Sequence, residues 1–303
     1  MRLFFKRYWL VIFAVIIFLF SIGYSFYRYF DDYYNYSPLY YEDLENCLQQ
    51  YTDKQCAEKG FMTLEDQLSK EESRDLYFKI IGNYQMYIGI LMPLIVCLII
   101  VGLFHSDFSS GNIKNILTRQ SLKSFYFHCQ RKILRWNLIF LVVLPFMFLV
   151  CCIITGFNFH LLDSAKLGAQ YFEWNYQNFA LYLFIHSILL YVVGILYSQI
   201  AFFFINRSKN KLLTIMFSYL ACFCYLVFLE LFIYAILCTN IFHLNHVHAY
   251  FNLLAVWQLI PDDTNYVILF ISYFLQAFLL FIINCFVFSS KERILIRNEK
   301  EFG

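Results

Sequence analysis

Residues 88–123 read Ile88-Gly-Ile-Leu-Met-Pro-Leu-Ile-Val-Cys-Leu-Ile-Ile-Val-Gly-Leu-Phe104, then His105-Ser-Asp-Phe-Ser-Ser-Gly-Asn-Ile-Lys-Asn-Ile-Leu-Thr-Arg-Gln-Ser-Leu-Lys123. An uncharged apolar run long enough to cross a bilayer stops abruptly at a basic, polar stretch, and strong apolarity resumes after Asn137. That alternation sets the fold class: in lipid the backbone must satisfy its own hydrogen bonds, so runs of about 20 apolar residues become helices. The chain shows none of the ten-residue alternation of a membrane barrel.

Outward from this stretch, apolar runs of spanning length cover Tyr8–Tyr27, Ile81–Phe104, Leu138–Phe157, Phe179–Ile205, Leu212–Cys238 and Tyr266–Ser289. Composition agrees: 61% hydrophobic and 15% charged residues over 303 positions leave too little polar surface to solvate a globule. The expected fold is an all-α polytopic membrane protein with six transmembrane helices.

Charge sets the expected orientation. If both termini are cytoplasmic, the inner segments (1–7, 105–137, 206–211 and 290–303) hold 16 Lys and Arg against 4 Asp and Glu, and the outer ones hold 7 against 16. The positive-inside rule therefore predicts both ends inside. The formal net charge of +2 conceals this polarity and gives no reason to expect nucleic acid. Arg2, Lys6 and Arg7 before an apolar run imitate a secretory leader, but bulky aromatics follow where a small-residue cleavage site belongs. The first run thus reads as a retained span.

The expected organisation is a first span (1–29), an extracellular acidic subdomain (30–79) and five further spans (80–303), with a cytoplasmic segment at 105–137 and a re-entrant segment at 240–262. The subdomain has 12 acidic residues and a Tyr-rich strip from Tyr33 to Tyr41. It reads as helical over 41–50 and over 63–79, with Thr63 and Asp66 as a cap. Cys47 and Cys56 are its two cysteines. An oxidising exterior favours a disulfide between them if the chain turns near Asp53; two reduced thiols are the alternative. The remaining cysteines, Cys151-Cys152 and the Cys222/Cys224 pair among them, lack metal-site spacing and read as packing.

The inner segment divides into two short helices. Ser109 or Ser110 caps a first one with Ile113, Ile116 and Leu117 on one face. After a break at residues 118–121, Leu122, Phe125, Cys129, Ile133 and Trp136 recur every three or four residues, leaving Lys123, Arg131, Lys132 and Arg135 for water or headgroups. The plain alternative is an ordinary basic connector resting on the headgroups.

Asp107-Phe108, Gly111, Ile113, Asn115-Ile116-Leu117-Thr118, Phe125-Tyr126 and Lys132 resemble the cytoplasmic loop between the second and third spans of type 2 ABC transporter permeases. In that family an acid and an aromatic, a glycine, an apolar turn ending in a hydroxyl residue and a basic residue occur in this order. Gln120 stands where the family often has proline, and Asn112 where threonine is usual. The resemblance extends to six spans with both ends inside. It implies a permease subunit of a bacterial ABC exporter in the plasma membrane, pairing with itself or a similar permease and moving an amphipathic peptide, drug or lipid. Asp107, Phe108, Gly111, Ile113, Lys114, Ile116, Leu117 and Arg119 would form the coupling helix that docks on an ATP-binding subunit. None of the ten glycines is followed by lysine, so the chain has no phosphate-cradling loop. It is expected to be non-catalytic and to bind no cofactor, with ATP and Mg on the partner.

Glu230 is the one acid deep within a span, in the outer half. It either lines a substrate path or bonds a neighbouring helix. His186 joins it as a path candidate, although His186, Gln199, Gln276 and Asn284 read first as helix–helix hydrogen bonders. His243 and His246 share a helical face but His248 does not, and no nearby cysteine or acid completes the set that zinc needs. The competing function is a non-transporting sensor or immunity protein whose outer domain binds an extracellular peptide. An intramembrane enzyme ranks last, because no span holds paired acids, a His-Glu motif or a serine-histidine set.

Overall fold

The computed structural model describes residues 2–50, 72–84, 86–109, 112–159, 173–205, 210–243 and 265–288, together with Tyr250, Phe251, Leu253 and Val256. The described residues form helices α1 (Arg2–Gln50), α2 (Ser73–Tyr84), α3 (Met86–Ser109), α4 (Asn112–Arg119), α5 (Leu122–Ile154), α6 (Glu173–Gln177), α7 (Phe179–Phe204), α8 (Lys211–Val227) and α9 (Tyr266–Val287). A π-helical segment, Phe228–Ile241, continues α8. Among the described residues, six helices are long and apolar enough to cross a membrane, over Tyr8–Asp31, Gly89–Phe108, Leu122–Ile154, Phe179–Phe204, Lys211–Ile241 and Tyr266–Val287.

The second span, expected from Ile81, begins at Gly89, with Ile81 in α2, and two helix junctions differ. The separate outer helix over 41–50 is the continuation of the first span: α1 runs unbroken for 49 residues, about 74 Å at 1.5 Å per residue. Likewise the second amphipathic helix and the third span are one 33-residue helix, α5. Nothing near Asn137 breaks it, because that polar side chain is buried rather than solvated. Its Nδ2 donates to the Ile133 carbonyl and to Ser198 Oγ, both at 2.8 Å. Phe125, Cys129 and Ile133 hold the packed face as expected and Tyr126 and Gln130 join them, whereas Trp136, expected there too, points outward. Ser121 caps α5 by accepting from the Ser124 N–H, where the expected break falls.

The second span is 78% buried and the fourth 56%, against 17% for the fifth and sixth, so α3 and α7 form the centre. Helix α1 packs along α3; α5 and α9 pack on α7; α8 leans on both central helices. Helices in lipid gain little from apolar burial against one another, so their closest approaches depend on small residues. A Cβ on Gly194 would lie 2.6 Å from Asn137 Oδ1 and 2.7 Å from Phe140 Cδ2, which makes this glycine the crossing point of α7 and α5. Gly102 plays a looser version of the same role against Leu10 and Val11 of α1, at 3.1 Å.

Rings fasten the bundle at two levels. Tyr77 and Phe78 of α2 meet Phe148 of α5 and Phe179 and Tyr182 of α7, with centroids 4.5 to 5.9 Å apart among the closest pairs. Beside them Ser73 bonds Thr155 Oγ1 at 2.6 Å, and its N–H donates to the Asn158 carbonyl at 2.9 Å. The second ring layer gathers at the opposite ends of α3, α5, α7 and α9, next to α4.

Candidate functional sites: the turn between the second and third spans and the polar groups within the spans

Phe108, at the end of α3, is fully buried. Its ring lies 5.8 Å from Phe125, 6.0 Å from Phe288 and 6.3 Å from Phe202; Phe202 and Phe288 are 4.9 Å apart. Tyr126 joins them, 5.8 Å from Phe281. One aromatic residue at the turn between α3 and α4 therefore interlocks with rings from three other spans.

Helix α4 packs on α3 and α5. Its spacing explains how: Ile113 and Leu117, four apart, share a face and are buried, while Asn115, Thr118 and Arg119 are exposed and Ile116 lies between. Thr118 Oγ donates back to the Asn115 carbonyl at 2.8 Å, and the Gln120 N–H closes the last turn on the Ile116 carbonyl at 3.1 Å. The result is a short helix fixed on its apolar side and open on its polar side. Asp107 is half-buried at its approach. Gly111, Ser110 and the side chains of Ser109 and Lys114 lie outside the described residues.

Three of the polar residues singled out in the spans do join helices. Gln199 donates to Gln130 Oε1 at 2.7 Å, the reciprocal bond measures 3.4 Å, and Asn284 Nδ2 donates to the Gln199 carbonyl at 2.8 Å and to its Oε1 at 3.0 Å. This amide cluster ties α5, α7 and α9 together. Gln276 accepts from Tyr225 OH at 2.9 Å and donates to Ser272 Oγ at 3.3 Å; that hydroxyl donates to the Tyr250 carbonyl at 2.8 Å. Gln130, Asn137 and Ser198 were not anticipated. The available signal was that each amide follows an apolar packing position by one or four residues, inside a stretch otherwise read as basic and solvated.

His186 and Glu230 belong to different clusters. His186 is fully buried on α7 beside the Tyr182 ring, 5.3 Å away, and its Nε2 bonds the Val256 carbonyl. It thereby holds the described part of the 240–262 segment, where Leu253 and Val256 are buried and Tyr250 OH accepts from the Asn265 N–H at 3.1 Å. Glu230 is half-buried in the π segment and close enough to the Tyr273 phenol for the two to interact electrostatically. Thr239 Oγ bonds the Tyr234 carbonyl five residues back at 3.2 Å, in keeping with the wider π register.

Outside the spans, Glu72 is fully buried and bonds Arg74 Nε. Burial pushes its carboxyl above the ordinary value of 4.5; the Arg74 guanidinium opposes that rise and Asp75 adds to it. Cys47 is buried and disulfide-bonded, while its expected partner Cys56 lies outside the described residues, as do Thr63, Asp66, His246 and His248. Among the described residues, no three His, Cys, Asp or Glu side chains gather in a group able to hold a metal.

No family model, curated protein or solved structure matches this chain. What its helices define is a class: an all-helical protein with six apolar helices of spanning length, in keeping with a multi-pass membrane protein.

Proposed function

We propose that this chain is the membrane-spanning permease subunit of an ATP-driven ABC exporter in a bacterial plasma membrane, itself non-catalytic, paired with a second permease and with ATP-binding subunits that hold ATP and Mg. The observation that carries this reading is α4, a short helix between the second and third spans whose buried Ile113 and Leu117 anchor it and whose Asn115, Thr118 and Arg119 face outward. A docking helix needs both properties: rigidity against its own bundle, and a free polar face for a soluble partner. Phe108 supplies the third requirement, a stiff route from the turn into the spans. Rings in close contact are poorly compressible, so a push on α4 displaces the inner ends of α3, α5, α7 and α9 together.

The charge asymmetry supports placing α4 on the cytoplasmic face with both termini. An amphipathic peptide, drug or lipid fits a bundle with little intramembrane charge, and Glu230 beside Tyr273 is the candidate polar contact along its path.

Co-expression of the full chain with the ATP-binding subunit encoded beside its gene tests the reading. Wild-type protein is expected to retain that subunit through purification and to stimulate its ATP hydrolysis. Arg119→Glu with Asn115→Trp, both on the exposed face, should abolish retention without lowering the amount of folded permease. Unchanged retention and stimulation in this variant would overturn the assignment.

A further inference from the structure

A groove runs along the outward face of α7 and α9, and its chemistry is that of a lipid site. A cavity of about 380 Å³ lies between α5, α7 and α9, lined by Gln130, Leu134, Tyr191, Gln199, Phe274 and Phe281 among others. A second of about 270 Å³ continues it past Ile188 and Phe270, which line both, to Tyr266 and Val267. From Val267 to Phe281 the groove follows α9 for 14 residues, about 21 Å at 1.5 Å per residue. One leaflet of a hydrocarbon core about 30 Å thick is shorter than that, so the groove is long enough for an acyl chain.

The walls are almost wholly apolar. The two amides that reach the groove are buried and bonded to each other, which turns them away from a headgroup. Polar recognition must therefore occur at the rim. On α5, Gln130 and Leu134 line the groove; Arg131 follows the first and Arg135 the second, and both arginines are exposed. Lys123, also exposed, lies seven residues before Gln130 and therefore on the stripe of the helix that lines the groove. No ion pair engages these three cations among the described residues. Basic groups at the end of an apolar inter-helical groove are the arrangement that holds an anionic lipid headgroup.

We propose that this groove binds one anionic phospholipid, with an acyl chain along α7 and α9 and its phosphate against Arg131 and Arg135. The site does not depend on the transport reading, since neither α4 nor Glu230 takes part.

The test uses the full chain in a neutral detergent, with phosphatidylglycerol and phosphatidylcholine of identical chains added separately, read by thermal unfolding and by native mass spectrometry of retained lipid. Phosphatidylglycerol is expected to raise the midpoint and to remain bound, with phosphatidylcholine well behind. Arg131→Gln with Arg135→Gln, a surface change that leaves the core intact, should weaken phosphatidylglycerol retention roughly 30-fold, the loss of two basic contacts near a membrane surface. Ile188→Trp should obstruct the groove and reduce retention of both lipids. Glycerol phosphate, which has the charge without the chains, should give no shift. Equal stabilisation by the two lipids, full retention in the double arginine variant, or a shift with glycerol phosphate alone would each overturn the proposal.

Discussion

Replacing Gly194 with alanine adds one carbon where α7 crosses α5. That carbon would lie 2.6 Å from Asn137 Oδ1 and 2.7 Å from Phe140 Cδ2, about 0.8 to 0.9 Å short of an ordinary contact near 3.5 Å. Neither neighbour can step aside cheaply. The Asn137 amide is held by its bonds to Ile133 and Ser198, and the Phe140 ring packs edge-on against Phe18 at 5.6 Å. Overpacking of this kind costs about 1 to 3 kcal/mol. If the helices separate instead, the Asn137–Ser198 bond is lost, at about 0.6 and up to 1.7 kcal/mol for an inter-helical bond in a membrane. Gly194→Ala should therefore destabilise by roughly 1 to 3 kcal/mol, whichever way the strain is relieved. Gly23 is the internal control, because nothing lies within 4 Å of its added Cβ. Alanine there should be neutral or stabilise by about 0.5 to 1 kcal/mol through the backbone. Gly102→Ala, with neighbours at 3.1 Å, should fall between. The assay is thermal or denaturant unfolding of the three variants in one detergent, followed by near-ultraviolet circular dichroism. A Gly194→Ala midpoint equal to or above that of Gly23→Ala would refute the packing argument.

Gln130→Ala and Gln199→Ala should be coupled: a double-mutant cycle on unfolding is expected to return about 0.6 to 1.7 kcal/mol, and a coupling near zero would mean the reciprocal amide bond contributes nothing. Phe108→Ala should cost about 3 to 5 kcal/mol through the lost core ring, whereas Phe108→Leu should retain most of the stability while loosening the ring contacts; a harmless alanine would show that the inner layer is not packed as described. Because burial raises the Glu72 carboxyl, the folded state holds that proton more tightly than the unfolded one, so its contribution is complete below about 4.5 and is lost as pH rises through the raised folded value. The unfolding midpoint of the wild type should accordingly fall more steeply over that pH rise than that of Glu72→Gln, and parallel curves would contradict the assignment.

The spans were legible because they answer to a single overriding cost, that of unsatisfied backbone in lipid, which length and apolarity reveal directly. Where helices end inside a polar stretch was less legible. Asn137 reads as the start of a membrane segment, yet its amide is buried and α5 passes straight through it, because Ser198 and the Ile133 carbonyl offer what water would. The break expected at 118–121 was visible in part: it falls at Gln120 and Ser121, with Thr118 and Arg119 still in α4, and Ser121 caps α5 by accepting from the Ser124 N–H. Partners such as Gln130 for Gln199 lie 69 residues apart and leave no local trace.

Which way each aromatic faces is the harder case. With 37 Phe and 25 Tyr in the chain, several spans carry aromatics on both their packed and their exposed sides. On α1, Phe18 is 2% exposed against Phe140 whereas Phe20, two residues on, is 73% exposed. Lipid tails are as apolar as the protein interior, so no hydropathy pattern separates the two faces. Small residues and buried amides do separate them, but only once a neighbour is known: Gly194 and Gly23 are identical in the sequence, and only the α5 side chains brought against Gly194 make one a crossing point and the other an open surface. The packing of such a bundle is therefore decided by a few steric and hydrogen-bonded contacts, and the crossing at Asn137 and Gly194 is the one whose failure should spread furthest, because the amide cluster and the inner rings both depend on α5 and α7 staying in register.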